Sequence, residues 1–468
     1  MKKIFYSVFV LLLLVGITSC NNDDLDPTIS DKKDIENVKT VSDLKGLMNG
    51  AYNGMTNASY YGRDFVIYGE VRSDNTYANG NSGRFTAVGA MLQTSTSAYP
   101  TDTWDIIYRV IANCNIVINA NVEGDISAVN YVKGQALALR ALAHFDLVKL
   151  YGQQHVNQGG VSALGIPYIT KYKDLNNLYP VRNTVQEVRD KVYVDLDLAI
   201  QKMQIGISSA NSTKEEISLN AAKSIKSRIA LYFGDWELAK IASQEIIDSN
   251  QFSISLKDKY KDSFKDKETG NSIFELAFRT NDNNGNNSLK QIYQATNYGD
   301  IQVLEDLVNI FEPTDVRYNG DLSVGIPSQM IRKVSNRWRN YGKYPELDSN
   351  VKLVRIEEVF LINAEARFEL DSSDPIALVN LNKIPMNRGA SLYTDVTKDN
   401  ILLERRKELC FEGFRFDDLA RSHKNIPLVS TNEQTHEGPI YGSIRYAFPI
   451  PLSEITANNN IIQNAGYN

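Results

Sequence analysis

The chain has 468 residues, 43% of them hydrophobic and 23% charged, which is the composition of a folded globular protein and excludes a disordered tail, a collagen or a polytopic membrane protein. Its 50 basic and 56 acidic residues leave a formal charge of −6, so there is no basic excess to neutralise phosphates, and a nucleic-acid role is not expected. Three cysteines exclude a disulfide scaffold, and 25 tyrosines against 4 histidines stand out, beside abundant asparagine.

Lys2 and Lys3 precede an apolar run from Ile4 to Ile17. That run is too short to span a bilayer, which takes about 20 residues as a helix. The following Ile17-Thr18-Ser19-Cys20 resembles the lipobox of a lipoprotein signal peptide. The resemblance implies cleavage of residues 1–19 and acylation of Cys20, with each buried CH₂ contributing about 0.8 kcal/mol to anchoring. The membrane would be met through that lipid alone. Cleavage would leave 449 residues (468 − 19) and, without Lys2 and Lys3, a charge of −8. Residues 20–35 begin with a polar, acidic run and read as a tether. Residues 36–468 read as one helical body.

Helical spacing then recurs along the chain. Leu44, Leu47, Met48, Ala51, Tyr52 and Met55 define a first helix, and Trp104, Ile107, Tyr108, Ile111, Asn115 and Ile118 a second. Residues 131–151 form a long helix that stops at Gly152, and residues 184–203 another. Residues 219–249 are the clearest unit: a helix to Phe233, a turn at Gly234-Asp235, and a second helix from Trp236. Ala222, Ala230 and Ala239 allow close approach, as in a tetratricopeptide repeat of about 34 residues. Residues 354–370 and 374–384 form a looser pair, and 131–203 a pair split by an insertion. Cys114 and Cys410 fall in helices and read as buried free thiols.

Between the pairs lie long polar stretches at 57–100, 281–300 and 335–346, rich in Tyr, Trp and Asn. Loops of this length are usually functional or disordered, and their aromatics argue against disorder. Sugars stack their C–H faces on flat rings and satisfy their hydroxyls on amides and carboxylates. Tyr61, Asn75, Tyr77, Tyr293, Tyr298, Trp338 and Tyr341 are therefore the candidate ligand residues. The alternative for any one ring is that it packs its loop onto the helical body.

Nothing local announces catalysis. The histidines are scattered, no metal-ligand spacing or nucleotide loop is present, and no cofactor is expected. Adjacent acids on a helix, Glu357-Glu358 and Asp417-Asp418, point to different faces and suit ion pairs better than acid–base work. Two distant carboxylates would leave no local signature, so a glycosidase stays open on this ground.

Several segments, in order, are similar to the SusD/RagB family of surface nutrient-binding lipoproteins. They are Glu70 to Asn75, Tyr108 to Asn115, Arg140 to Leu147 with Tyr151-Gly152 and Gly165-Ile166-Pro167, and Glu358 to Ala366. Glu404 to Leu409 with Glu412 to Leu419, and Phe448 to Pro451 with Gln463 to Tyr467, complete the series. His144 stands where the family often has Tyr. Residues 381–387 lack two family arginines and carry Pro385, which should stop the helix, with Arg388 as a partial substitute. The resemblance implies a mostly α fold: irregular tetratricopeptide-like pairs in one α-superhelical body with loop-rich insertions. It further implies a non-enzymatic, outward-facing outer-membrane lipoprotein that captures oligosaccharide and passes it to a SusC-like TonB-dependent transporter. The alternatives are peptide as the ligand, a periplasmic repeat scaffold, and a surface glycoside hydrolase. The charges of 404–419 are expected to form partly buried ion pairs in the frame.

Overall fold

The computed structural model describes residues 38–210, 213–318 and 330–467; the leader, Cys20 and the tether lie outside them. Its helices of seven or more residues are numbered here in chain order. They are α1 Val41–Met55, α2 Asp64–Val71, α3 Ala98–Asn119, α4 Ile126–Tyr151, α5 Val185–Ile205, α6 Leu219–Phe233, α7 Trp236–Asp248, α8 Ile356–Leu370, α9 Pro375–Met386, α10 Lys398–Leu409 and α11 Arg415–Arg421. The strands are β1 Thr76–Ala78, β2 Ser272–Leu276, β3 Ile301–Val303, β4 Ile331–Val334, β5 Arg337–Asn340 and β6 Val351–Arg355. They form antiparallel two-stranded ladders, β1 with β3, β2 with β6 and β4 with β5.

The helix ends follow local chemistry. Thr40 and Asp43 close a capping box on α1, and Thr184 with Glu187 closes one on α5. Ser218 caps α6, which ends at Gly234 in the left-handed region at φ 76°. α9 opens on Asp374 with Pro375 in its first turn. Pro385 sits inside the last turn of α9, and the helix stops one residue later at Met386.

The helices pack as α1 with α3, α4 with α5, α6 with α7 and α8 with α9. Neighbouring pairs touch through α3–α4, α5–α6 and α7–α8, the stacking of a tetratricopeptide superhelix. At Gly134 of α4, an added Cβ would lie 2.5 Å from Met203 Cγ and 2.9 Å from the Ala199 carbonyl, so only glycine lets α5 approach there. Ala230, Leu231, Ala239, Ile362 and Ala366 fill the contact between the α6–α7 pair and α8. The small residues thus set the spacing of the pairs, and the apolar faces they cannot bury alone are covered by the next pair.

All three stretches read as loops carry regular structure, 281–300 in the short helix Leu289–Tyr293. Residues 57–100 include α2, whose eight residues are all buried. A helix buried all round shows no amphipathic period, so its polar flanks dominated the reading. Residues 335–346 begin inside the β4–β5 hairpin. Ser335 and Asn336 reverse it with φ of 48° and 61°, the pair of positive angles a two-residue type I′ turn requires.

The charges of 404–419 are buried more fully than expected. Arg405 meets Asp418 at 3.0 Å, and Arg415 meets Asp74 at 2.6 Å. Glu404 and Glu408 both bind Arg317. Glu408 also accepts from Arg355 and Arg388, whose side chains are 1% and 0% exposed. Arg388 therefore occupies the frame as a buried cation, bonded to Glu357 and Glu408. Glu357 and Glu358 diverge as expected, the latter binding Arg228 at 2.6 Å. Burial pushes Glu365 upward, but Arg421 and Lys398 outweigh it and hold the carboxyl at about 2. His144 lies flat on Tyr168 at 3.8 Å and accepts from the Ile169 N–H. Burial lowers it to about 3, so it is a neutral ring in the frame.

Cys114 and Cys410 are free and buried, and burial pushes both thiols up to about 12. The thiolate is the reactive form. Both should therefore stay unlabelled by iodoacetamide at pH 8 in the folded protein and react once it is unfolded in urea. Mass spectrometry of the digests checks this, and labelling of the native protein would contradict the burial.

Candidate functional site

Three polar segments meet at the β1–β3 ladder and the β4–β5 hairpin. Asn79, just past β1, donates from Nδ2 to the Gly299 carbonyl at 2.8 Å, and Arg339 of β5 donates to the same carbonyl at 2.7 Å. The Tyr341 hydroxyl accepts from the Ala295 N–H at 3.3 Å. Stretches distant in sequence are thus tied together by their own polar groups. They enclose a cleft of about 910 Å³, lined by Tyr77, Asn79, Asn81, Gln302, Arg337 and Arg339. Ser430, Asn432, Glu433 and Thr435 close its other wall. Two smaller concavities, about 600 and 460 Å³, lie elsewhere, the first lined by Trp104, Tyr108, Tyr179 and Glu454 among others.

The seven candidate residues divide. Tyr77 lines the cleft and donates to Gln302 Oε1 at 2.5 Å. Burial and nearby Glu433 push its hydroxyl up to about 12, so it stays a protonated donor at neutral pH. Tyr298, Trp338 and Tyr341 do not line the cleft; they lie on adjoining segments, each half-buried and each beside a cation. Arg84 lies 3.8 Å from the Tyr298 ring centre, Lys333 lies 5.1 Å from Trp338, and Arg332 lies 5.0 Å from Tyr341. Strand alternation turns Trp338 to the opposite hairpin face from Arg337 and Arg339.

The other three serve the frame. Tyr61 donates to Asp146 at 2.8 Å, beside Tyr60 at 2.6 Å on the same oxygen. Asn75 is fully buried, donating to Glu70 and accepting from Arg406, both at 2.9 Å. Tyr293 is fully buried and stacks on Tyr344. None of them lines the cleft. Each sits against an element whose buried acceptor or ring could not be seen from its own loop.

The reading missed Arg337, Arg339 and the 430–435 wall. The run Arg332-Lys333-Val334-Ser335-Asn336-Arg337-Trp338-Arg339 holds the signal: alternation about a Ser-Asn turn marks a hairpin with arginines on one face. Ser430 to Thr435 is a polar, aperiodic run between family segments. Among the described residues, no group of three or more His, Cys, Asp and Glu is placed to hold a metal ion.

Residues 26–231 match the SusD-like family model described as starch-binding and associating with the outer membrane, and residues 327–467 match the model of the SusD family. SusD-like protein P38 of Formosa agariphila is 26% identical over 529 residues, covering 100% of this chain and 99% of the relative. The starch-binding protein SusD of Bacteroides thetaiotaomicron is 31% identical over 147 residues, 28% of this chain and 25% of that one. A crystal structure of a SusD superfamily protein from Bacteroides vulgatus superposes with a TM-score of 0.80 at 26% identity, covering 92% of this chain and 100% of that one. A sugar-binding protein structure from the same species, described as putative, has the same fold at 24% identity and TM-score 0.80, covering 92% and 99%. The paired helices, the buried ionic frame and these matches from residue 26 to 467 agree: the chain belongs to the SusD family.

Proposed function

We propose that the protein captures an oligosaccharide in the cleft between the β1–β3 ladder, the β4–β5 hairpin and the 430–435 wall. It then passes the ligand to a SusC-like TonB-dependent transporter. One observation carries the reading: segments far apart in sequence, holding Tyr77 and Asn79, Gln302, Arg339, and Glu433, come together in one polar cleft of about 910 Å³. The family's descriptions supply the ligand class, and a starch-binding relative supports it. The helical pairs provide rigidity, and the loops provide a ring, amides and donors for the sugar. Binding and handover need no bond cleavage.

Residues 36–468 act in this reading as the single working body. Cys20 carries the lipid, and the body faces the exterior. Protease added to intact cells should cut the protein, whereas a periplasmic location would protect it.

Substituting Tyr77→Ala removes the ring and a hydroxyl that line the cleft. Affinity for the bound oligosaccharide should fall about tenfold, which corresponds to about 1.4 kcal/mol. Calorimetry against a glycan retained in an affinity-gel screen measures it. Equal affinity of the variant and the parent would remove the cleft from the function.

A further inference from the structure

The β4–β5 hairpin places three guanidinium groups on one face. Arg332 and Arg339 are directly opposed across the ladder, and Arg337 follows two residues from Arg339 on the same side. Like charges in directly opposed positions destabilise a ladder. Among the described residues, only Arg337 has an ion-pair partner, Glu433 at 3.1 Å. The other nearby acid, Asp300, accepts from Ser82 at 2.7 Å through one oxygen, while its other oxygen lies 3.6 Å from Arg84 and has no hydrogen-bond partner. Among the described residues, Arg332 and Arg339 thus face each other with no carboxylate paired to either.

Their donors are also unspent. Arg339 is 8% exposed, and it gives Nη1 to the Gly299 carbonyl while its buried Nε has no hydrogen-bond partner. The buried Nε of Arg332 has none either. A buried donor left unmade is costly. Arg339 lines the cleft and Arg332 opposes it across the ladder, so an acceptor bound in the cleft beside Arg339 would stand next to this pair. A neutral sugar hydroxyl satisfies one such donor. A carboxylate or sulfate offers several acceptor oxygens, accepts from guanidinium in a two-pronged geometry, and removes the repulsion as well.

From this juxtaposition we propose that the ligand is an anionic oligosaccharide, bearing uronate or sulfate groups, one of which is held between Arg332 and Arg339. This rests on the cleft being the oligosaccharide site. Tyr77, Asn79 and Gln302 would meet the uncharged parts of the chain, and Arg337, already paired, would set its approach.

The test is a glycan array carrying neutral, uronate-bearing and sulfated oligosaccharides, probed with the intact protein, followed by calorimetry on the retained ligands at low and high salt. Retention should be confined to acidic glycans, with the uronate and sulfate arms naming the group. Arg339→Gln and Arg332→Gln should each weaken that binding at least tenfold. Lys333→Gln, the same charge loss on the opposite face of the same hairpin, should change it less than twofold. Thermal melts establish that each variant is folded, and Arg332, being half-buried, keeps the test open should the Arg339 variant unfold. Retention of neutral glycans with equal affinity, or an acidic ligand indifferent to both arginines, overturns this inference. If Tyr77→Ala still weakens such binding, the cleft reading survives. Absence of binding by every class overturns both.

Discussion

Replacing Glu408 by alanine should destabilise the protein by about 3–5 kcal/mol, the cost of breaking a buried ion pair from one side. Glu408 is the shared counter-charge of three arginines. It accepts from Arg388 at 2.9 and 3.0 Å, from Arg355 at 2.9 Å and from Arg317 at 3.1 Å. All four side chains are 1% exposed or less. Without the carboxylate, Arg388 and Arg355 keep Glu357, and Arg317 keeps Asp315 and Glu404, but three buried cations would share fewer acids. Glu408→Gln preserves shape and turns one acceptor into a donor aimed at guanidinium, so it should cost a similar amount.

Urea unfolding of parent and variants measures this, and losses below about 1 kcal/mol would show that the network is held by packing instead. The same experiment has a pH signature. Burial acts to raise Glu408, but Arg388 and Arg355 prevail and hold it well below the ordinary glutamate range. Its folded value lies below its unfolded value of about 4.3, so its stabilisation is complete above that pH and is lost as the pH falls from there through the lower, folded value. Glu408→Gln should flatten that part of the stability profile.

Gly69→Ala should cost about 3 kcal/mol or more, at the upper end for overpacking. Gly69 lies in α2, and a Cβ there would stand 2.0 Å from the Gly413 carbonyl oxygen and 2.5 Å from its carbon. The obstruction is main chain, so no rotamer can move aside. Gly413 is itself committed: its φ is +89°, and its N–H donates to Glu70 at 2.8 Å. Gly69, directly before the family segment Glu70 to Asn75, is thus held against Gly413 of the segment Glu412 to Leu419 by a contact between backbones. Gly46→Ala is the control, since Gly46 lies exposed in α1 with nothing within 4 Å of an added Cβ. It should stabilise by about 0.5–1 kcal/mol. Thermal melts of the two variants check the contrast. Near-equal melting temperatures would mean that α2 can shift away from Gly413.

The helical frame was legible because its signals are local. Gly234 ends one helix and permits the next, and the alanines of α6 and α7 appear at helical spacing. Long-range partnering was not legible. Tyr61 and Tyr77 sit in the same kind of polar, aromatic stretch, but one hydroxyl meets a buried Asp146 eighty-five residues away and the other meets Gln302 in the cleft. Nothing near either tyrosine distinguishes them. The arginine face of the hairpin had a signal in the alternation about Ser335-Asn336, but a weak one, because its alternating positions carry charge and no clear hydrophobic period. Arg388 was the reverse case. Its displacement from the family position drew attention, and it reaches Glu357 and Glu408 from there.

The ionic frame also imposes an order on how the chain is completed during synthesis. Arg317, about two-thirds along the chain, finds Glu404 and Glu408 only in its last part. Asp74, near the start, waits for Arg406 and Arg415, and Glu70 waits for the N–H of Gly413. Every nascent chain that stops before residue 404 therefore carries buried-to-be charges whose partners do not yet exist, and burying a lone charge is strongly unfavourable. The N-terminal helix pairs can form early, but closure over these charges must follow translation of the final segment. A chain built this way cannot close over these charges until residues 404–415 have been made.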